Sequence, residues 1–170
     1  MAGSGWRSAR ALGLFTGLVA FAAGVGARVT DSGSSRWYRR LKKPPFQPPP
    51  ALFGPVWAGL YALMVWSAFR IWKRPSSPAR SRALRAWTGQ LVLNGAWSPL
   101  FFAAHRPKAA LADLALLGLA VAVYARRAGE LDRHAAWMMA PYLGWLGFAT
   151  LLNGEIVRRN RPERAASTSL

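Results

Sequence analysis

An all-α fold, specifically an integral membrane bundle of five transmembrane helices, is what this sequence predicts, and three observations carry the prediction. Lys and Arg number 23 in 170 residues, yet they leave five windows untouched, at 11–27, 44–69, 86–105, 109–125 and 134–157. These windows reach or approach the roughly 17 to 25 apolar residues that a helix rising about 1.5 Å per residue needs to cross about 30 Å of hydrocarbon. The cations collect in the short gaps, where they can meet lipid phosphate and snorkel from helix ends. A hydrophobic content of 52% is compatible with a soluble protein, so the distribution of charge decides the class. The same distribution argues against nucleic-acid binding despite a formal charge of +17, because that function usually shows as basic residues interleaved with aromatics in one stretch.

The elements follow in order within a single domain spanning 1–170. Residues 1–10 read as a polar tail and 11–29 as the first helix. Arg7 and Arg10 before an apolar run that ends Val25-Gly26-Ala27 also fit a signal peptide. Against that, Gly13, Gly17, Ala20 and Gly24 form a small-residue stripe suited to close helix packing, useful only if the segment stays. The connection 30–51 has a small, flexible first part, Asp31 to Ser35. Its second part is stiffened by Pro44, Pro45, Pro48, Pro49 and Pro50, a pre-shaped strap suited to cap a pocket. Further helices are expected over 52–72, 84–104, 108–125 and 134–158. Pro99 and Pro141 lie inside two of them, and each frees the carbonyl four residues earlier, at Gly95 and Trp137. Orientation stays open, because the cations divide almost evenly between the two sides. The absence of cysteine removes disulfides and thiolate chemistry.

Candidate functional residues lie on facing stripes. Phe53, Trp57, Tyr61 and Met64 share one face of the second helix, and Pro141, Trp145, Ala149 and Asn153 share one face of the fifth. Gln90, Asn94 and Ser98 line the third, with Trp97 and Phe101 beside them. Trp6, Trp37, Trp72, Trp87 and Trp137 fit the membrane interface, whereas Trp145 lies mid-window and should face protein or a cavity. Asn94 and Asn153 read equally well as interhelical glue or as pocket polar groups. Together these faces describe an aromatic-walled pocket for a flat apolar ligand with an anionic edge. The cations Arg39, Arg40, Lys42 and Lys43 stand at its mouth, where headgroup anchoring is as good a reading as ligand contact. Tetrapyrroles have that shape; a sterol has the flatness without the anion. Enzyme templates mostly fail: His105 and His134 sit at window ends without a spaced carboxylate, so neither a triad nor a metal site is expected. Asp113 and Glu155, the acids nearest membrane depth, each lie close enough to a helix end to reach water.

Longer motifs then become familiar. The run Trp37-Tyr38…Leu41…Lys43-Pro44…Pro48-Pro49…Phe53-Gly54-Pro55-Val56-Trp57…Leu60-Tyr61…Met64 resembles the signature of the TspO/MBR family, the tryptophan-rich sensory proteins and peripheral-type benzodiazepine receptors. So do Gln90-Leu91…Leu93-Asn94…Trp97-Ser98-Pro99…Phe101-Phe102, Ala110-Leu111-Ala112-Asp113-Leu114, and Pro141-Tyr142-Leu143…Trp145…Phe148-Ala149-Thr150…Leu152-Asn153. The resemblance implies a five-helix bundle, usually a homodimer, around a pocket capped by the first loop. It implies binding of porphyrins and of synthetic isoquinoline- and benzodiazepine-type ligands, and cholesterol binding in animal members. Some bacterial members are reported to promote light- and oxygen-dependent porphyrin breakdown; the two pocket tryptophans that carry that role match Trp57 and Trp145, and the pocket alanine matches Ala149. In the cholesterol-recognition stretch Leu152 and Arg158 match, but Gly154 and Glu155 stand where the family has tyrosine, which weakens a sterol reading.

The reading is a multi-pass protein, expected in the cell membrane, that holds a porphyrin in a sensory or oxidative-stress role and requires no cofactor. Phe53, Trp57, Tyr61, Asn94, Trp97, Trp145, Ala149 and Asn153 are the expected ligand contacts, and Trp37, Arg40 and Lys43 the loop contacts. Partners are tetrapyrrole, lipid and a second copy, with no nucleic acid. The alternatives are a photo-oxidative porphyrin-degrading enzyme using Trp57 and Trp145, and a sterol or porphyrin transporter. The absence of a visible internal repeat argues against repeat-type alternating access.

Overall fold

Prolines and caps set where the helices from residue 50 onward start. The computed structural model describes residues 3–33 and 36–160. The first helix, α1 (Gly3–Gly33), takes in residues read as polar tail and as flexible loop. Its 31 residues span about 46 Å, more than the hydrocarbon core, so both ends reach the interface. Ser34 and Ser35 of the expected flexible segment, and the tail from 161, lie outside the described residues. A short α2 (Arg36–Arg40) leads into the proline strap. Pro49, at φ −56° and ψ 140°, ends the strap, and Pro50 opens α3 (Pro50–Trp72) at the first helical position, where a missing N–H costs nothing. Pro55 lies inside α3, an interior proline the sequence reading passed over.

The next helix, α4 (Pro78–Ser98), begins six residues before its expected start at 84. The Ser77 side chain accepts from the Arg80 N–H at 3.1 Å and Pro78 follows at the first turn. Pro99 cannot donate to Gly95, and the ladder reopens as a π turn (Pro99–Ala103) in which Ala104 N–H reaches the Pro99 carbonyl at 2.8 Å. His105, at φ 53°, then reverses the chain into α5 (Pro107–Gly129). The last expected helix is broken in two. Asp132 caps α6 (Arg133–Trp137), a turn at Met138 and Met139 follows, and α7 (Ala140–Arg159) has Pro141 in its first turn, so the proline starts a helix instead of kinking one.

Among the described residues the fold is all-helical, with no strand. Four segments are long and apolar enough to cross a membrane: Gly5–Thr30, Pro50–Trp72, Pro107–Gly129 and Arg133–Arg159. The fifth expected span, α4, is long enough but too polar by composition, since Arg80, Arg82 and Arg85 fill its first turns and Gln90 and Asn94 its middle. Packing explains how it tolerates them. It forms an antiparallel hairpin with α5 and lies against α1, with α3 touching it from the side, and it buries Ala83, Trp87, Gln90, Leu91 and Asn94. Trp87, expected at the interface, is fully buried instead. Its indole N–H donates to the Met64 carbonyl at 3.1 Å and its ring meets Phe15 edge to face at 5.2 Å. The glycine stripe of α1 also turns out differently. Gly13, Gly17 and Gly24 face open space, while Gly26 makes the close approach, with Ser98 Oγ 3.4 Å from where a Cβ would stand.

One end of the bundle is fastened by charge. Asp132 accepts from Arg70 Nε at 2.9 Å and Nη2 at 3.1 Å, pairs with Arg74 at 2.7 Å, and caps α6 through the N–H groups of His134 and Ala135. Beside it Ser67 Oγ donates to the Ala135 carbonyl at 2.7 Å and sits 2.6 Å from the Tyr124 hydroxyl. Burial works against the Asp132 charge, but the hydrogen bonds from Arg70, Arg74 and the Ala135 N–H outweigh it and hold the carboxyl well below its ordinary value. A depressed folded-state value means that this stabilisation is complete above the unfolded value of about 4 and is lost as pH falls through the folded one. Asp132→Ala removes a cap and the partner of two half-exposed guanidiniums that can turn to water, at a cost of about 2 to 3 kcal/mol. The melting temperature in detergent should therefore drop at pH 7. The difference from wild type should narrow below pH 4, as seen in parallel thermal melts.

Candidate functional site

Between α3 and α7 the helices meet through rings. Each packs mainly on other neighbours, α3 on α1, α4 and α6, and α7 on α5. Trp57 is the hub. Its ring lies 6.3 Å from Trp145 at 80°, 5.1 Å from Tyr61 at 33° and 6.1 Å from Tyr142 at 65°. Phe53 meets Trp145 edge to face at 5.7 Å, and Trp145 continues to Phe148 at 5.5 Å. Phe46 of the strap approaches Phe148 at 6.5 Å. The four-residue steps of α3 place Phe53, Trp57 and Tyr61 one turn above another, and Tyr142, Trp145 and Ala149 share a face of α7 for the same reason. Edge-to-face contacts add about 0.5 to 1.5 kcal/mol each beyond burial, enough to fix ring orientations.

A polar floor closes the aromatic space. Asn94 Nδ2 donates to the Tyr142 hydroxyl at 2.7 Å, a strong contact, and the Tyr61 hydroxyl donates to Asn94 Oδ1 at 3.4 Å, a weak one. One amide of α4 thus touches both helices of the site. Two other buried groups nearby in the chain, the Gln90 amide and Asp113 Oδ2, have no protein partner. Asp113 is only 6% exposed, so it does not reach water as expected from its position near a helix end. Glu155 does lie at the surface side, held by Arg158 and Arg159 at 2.6 Å each.

The strap covers the end of the bundle where the π turn lies. Trp37 stacks on His105 at 4.4 Å and meets Phe101 at 5.7 Å, and Tyr38 meets Phe102 at 5.3 Å. The Lys43 ammonium lies 4.0 Å over the Tyr38 ring, and Gln47 donates to the Tyr38 hydroxyl at 3.3 Å. Burial raises the Tyr38 pKa above 10, against the lowering effect of Gln47, so the phenol stays neutral across physiological pH. At the far side the Asn160 carboxamide clasps one backbone unit. Its Oδ1 accepts from Lys42 N–H and its Nδ2 donates to the Lys42 carbonyl, both at 3.0 Å, while Nδ2 also reaches the Ile156 carbonyl at 2.8 Å.

Phe53, Trp57, Tyr61, Asn94 and Trp145 are therefore brought together. Ala149 is half-buried against the same core. Trp97 stands apart from the Trp57 hub, stacked on Phe101 at 5.2 Å and joining the main core to the smaller cluster under the strap. Asn153, 2% exposed, ties α7 to the start of α5, with Nδ2 donating to the Pro107 carbonyl at 3.1 Å and Oδ1 accepting from Leu111 N–H at 3.3 Å. Trp37 and Lys43 belong to the strap's own packing, and Arg40 is exposed at its edge. Tyr142, Phe148 and Asn160 were not picked out as site residues. Tyr142 had a signal, three residues before Trp145 on the same face. Asn160 had none, because its partner is a backbone unit 118 residues away.

Four membrane-length apolar helices, with an aromatic cluster between two of the chain's helices, mark an integral membrane protein. The TspO/MBR family model matches residues 15–159, and the chain belongs to that family. The chain is 37% identical to the translocator protein of Bos taurus over 153 residues, which is 89% of this chain and 90% of the relative. It is 38% identical to the translocator protein of Homo sapiens over 138 residues, 80% and 82% of the two chains. It is 36% identical to the tryptophan-rich sensory protein of Cereibacter sphaeroides over 151 residues, 86% and 94%.

Asn160 gives the first test of the strap. Two hydrogen bonds worth about 1 kcal/mol each hold Lys42, so Asn160→Ala should raise hydrogen exchange over residues 41–47 about tenfold or more. Exchange in the α4–α5 hairpin should stay unchanged. Asn160→Asp keeps the acceptor and loses the donor, and should fall between. Wild-type exchange in Asn160→Ala would show that the clasp does not hold the strap.

Proposed function

We propose that this chain is a five-span membrane protein that binds a tetrapyrrole between α3 and α7, beneath the strap, in a sensory or oxidative-stress role. The observation that supports this reading is the edge-to-face contact of Trp57 and Trp145 at 6.3 Å, which brings two large, partly buried indoles together. Flanking Phe53 and Tyr61 extend the apolar walls, and the Asn94–Tyr142 pair supplies a polar contact for ring nitrogens. Arg40 at the strap edge and Lys42 are placed to meet propionate carboxylates. The membership of α4 as the fifth span rests on its flanking by α1 and α5, which shield Gln90 and Asn94 from lipid, and on Arg82 and Arg85 near one end, where they can snorkel. The open face of α1 at Gly13, Gly17 and Gly24 is where a second copy would approach in a homodimer.

A second reading draws on the same contact. Trp57, Trp145 and Tyr61 are oxidisable rings in one cluster, which suits light- and oxygen-dependent breakdown of a bound porphyrin. Transport has no comparable observation behind it.

Titration of the purified protein with protoporphyrin IX, followed by tryptophan quenching, tests the binding reading. Trp57→Phe and Trp145→Phe should each weaken binding about tenfold, the loss of roughly 1.4 kcal/mol of stacking and buried area. Unchanged affinity in both variants would remove the site. Illumination of the complex in air separates the two readings. Decay of the Soret band no faster than in detergent alone leaves binding, whereas faster decay that both variants abolish establishes the enzyme.

A further inference from the structure

At the end of the molecule opposite the strap, the start of α1 and the end of α3 enclose a cleft of about 570 Å³. Its walls are Trp6, Arg7, Arg10, Leu14 and Phe15 from α1 and Trp72 from α3. The lining is graded along the helix. Arg7 and Arg10, both exposed, stand at the outer end, and Leu14 lies one to two turns further in, about 6 to 10 Å along the axis. Trp6 and Trp72 flank the boundary, each at the end of a membrane-length segment, the place where indoles sit at headgroup level. Arg10 lies 4.8 Å over the Trp6 ring, which holds its guanidinium at the cleft.

Among the described residues no ion pair holds Arg7 or Arg10. The cleft lining contains no acid. Asp132, the buried carboxylate at the same end, is already engaged by Arg70 and Arg74. Arg80 is occupied too, donating to the Trp72 and Arg74 carbonyls at 3.1 and 2.9 Å. Two exposed guanidiniums beside an apolar trough fit a ligand with an anionic oxygen cluster at one end and alkyl carbons at the other.

We propose that this cleft binds one anionic phospholipid, its phosphate held by Arg7 and Arg10 and the start of an acyl chain laid on Leu14 and Phe15. The site is separate from the Trp57–Trp145 cluster and does not depend on what that cluster holds. A bilayer lipid is favoured over a free phosphate because half of the trough is hydrocarbon-lined and lies below the indole boundary. Guanidinium forks suit phosphate oxygens in a way that a headgroup carrying its own ammonium partly cancels, which selects an anionic over a zwitterionic lipid.

Native mass spectrometry of the protein, extracted from equimolar phosphatidylglycerol and phosphatidylcholine vesicles, tests this. Wild type should retain one phosphatidylglycerol per chain in preference to phosphatidylcholine. Arg7→Gln with Arg10→Gln should lower that preference about tenfold. Arg82→Gln with Arg85→Gln, an equal change of charge at the same end on exposed α4 positions, should leave it intact. Equal loss in both double variants would reduce the effect to unspecific surface charge and overturn the site, as would the absence of a preference in wild type. Displacement of the lipid by millimolar glycerol phosphate would identify a free phosphate site and also overturn it. A mass doubled in wild type but not in the Arg7/Arg10 variant would assign the cleft to contact between copies. Unchanged helicity by circular dichroism confirms that the variants fold.

Discussion

A bilayer offers no hydrogen bonds, and the whole arrangement follows from one helix that needs them. The buried side of α4 carries Trp87 and Asn94 within two turns, groups that lipid cannot satisfy; Gln90 between them has no protein partner. Neighbours therefore wrap it, α5 as its hairpin partner, α1 across it and α3 alongside. Trp87 is answered by a carbonyl of α3, the carbonyl of Met64. Asn94 is answered by hydroxyls from α3 and α7, those of Tyr61 and Tyr142. Satisfying α4 thus fixes where α3 and α7 stand relative to one another. Between them the contact is carried by aromatic rings. The interior site is a consequence of that spacing: the amide that glues the bundle also forms the polar floor between Trp57 and Trp145.

Prolines act as construction marks at the helix ends. Pro50, Pro78 and Pro107 begin helices at positions where no N–H is missed. Pro99 converts the end of α4 into a π turn, which swings Phe101 and Phe102 under Trp37 and Tyr38 and so builds the seat of the strap. His105 completes the reversal in a left-handed conformation that a non-glycine residue adopts only when neighbours hold it, and the Trp37 ring stacked on it is such a neighbour.

The helical class and the aromatic hub were legible in the sequence because both rest on periodicity. Phe53, Trp57 and Tyr61 at four-residue steps, and Trp145 in mid-window, point inward by spacing alone, and the rings do meet. What failed was anything that depends on a partner distant in the chain. Trp87 looked like an interface ring because its window position says nothing of Met64, whose carbonyl takes its N–H. The glycines of α1 looked like a packing face because small residues suit both close contact and an open surface, and only the position of Ser98 singles out Gly26. Asp132 drew no notice as one acid in a loop, since its importance comes from Arg70 and Arg74 some 60 residues earlier. The apolar window read over residues 86–105 also missed that α4 starts at Pro78 and carries Arg80, Arg82 and Arg85 in its first turns, which leaves it outside the four membrane-length apolar segments.

The two ends of the bundle are held by bonds of different kind, and this difference decides which end is held more firmly. At the Asp132 end a buried carboxylate joins α3 to the start of α6 through charge-assisted contacts of 2.7 to 3.1 Å, and Ser67 ties the same turn to α5 through Tyr124. Asp132 keeps several of these partners when any one is lost, so only removal of both arginines would leave the buried carboxylate without a counter-charge. At the other end the strap is held by ring contacts and by the neutral Asn160 clasp, each worth about 1 kcal/mol and each replaceable by water once opened. The strap end is the more weakly fastened of the two, and there Phe46 reaches the aromatic cluster through Phe148.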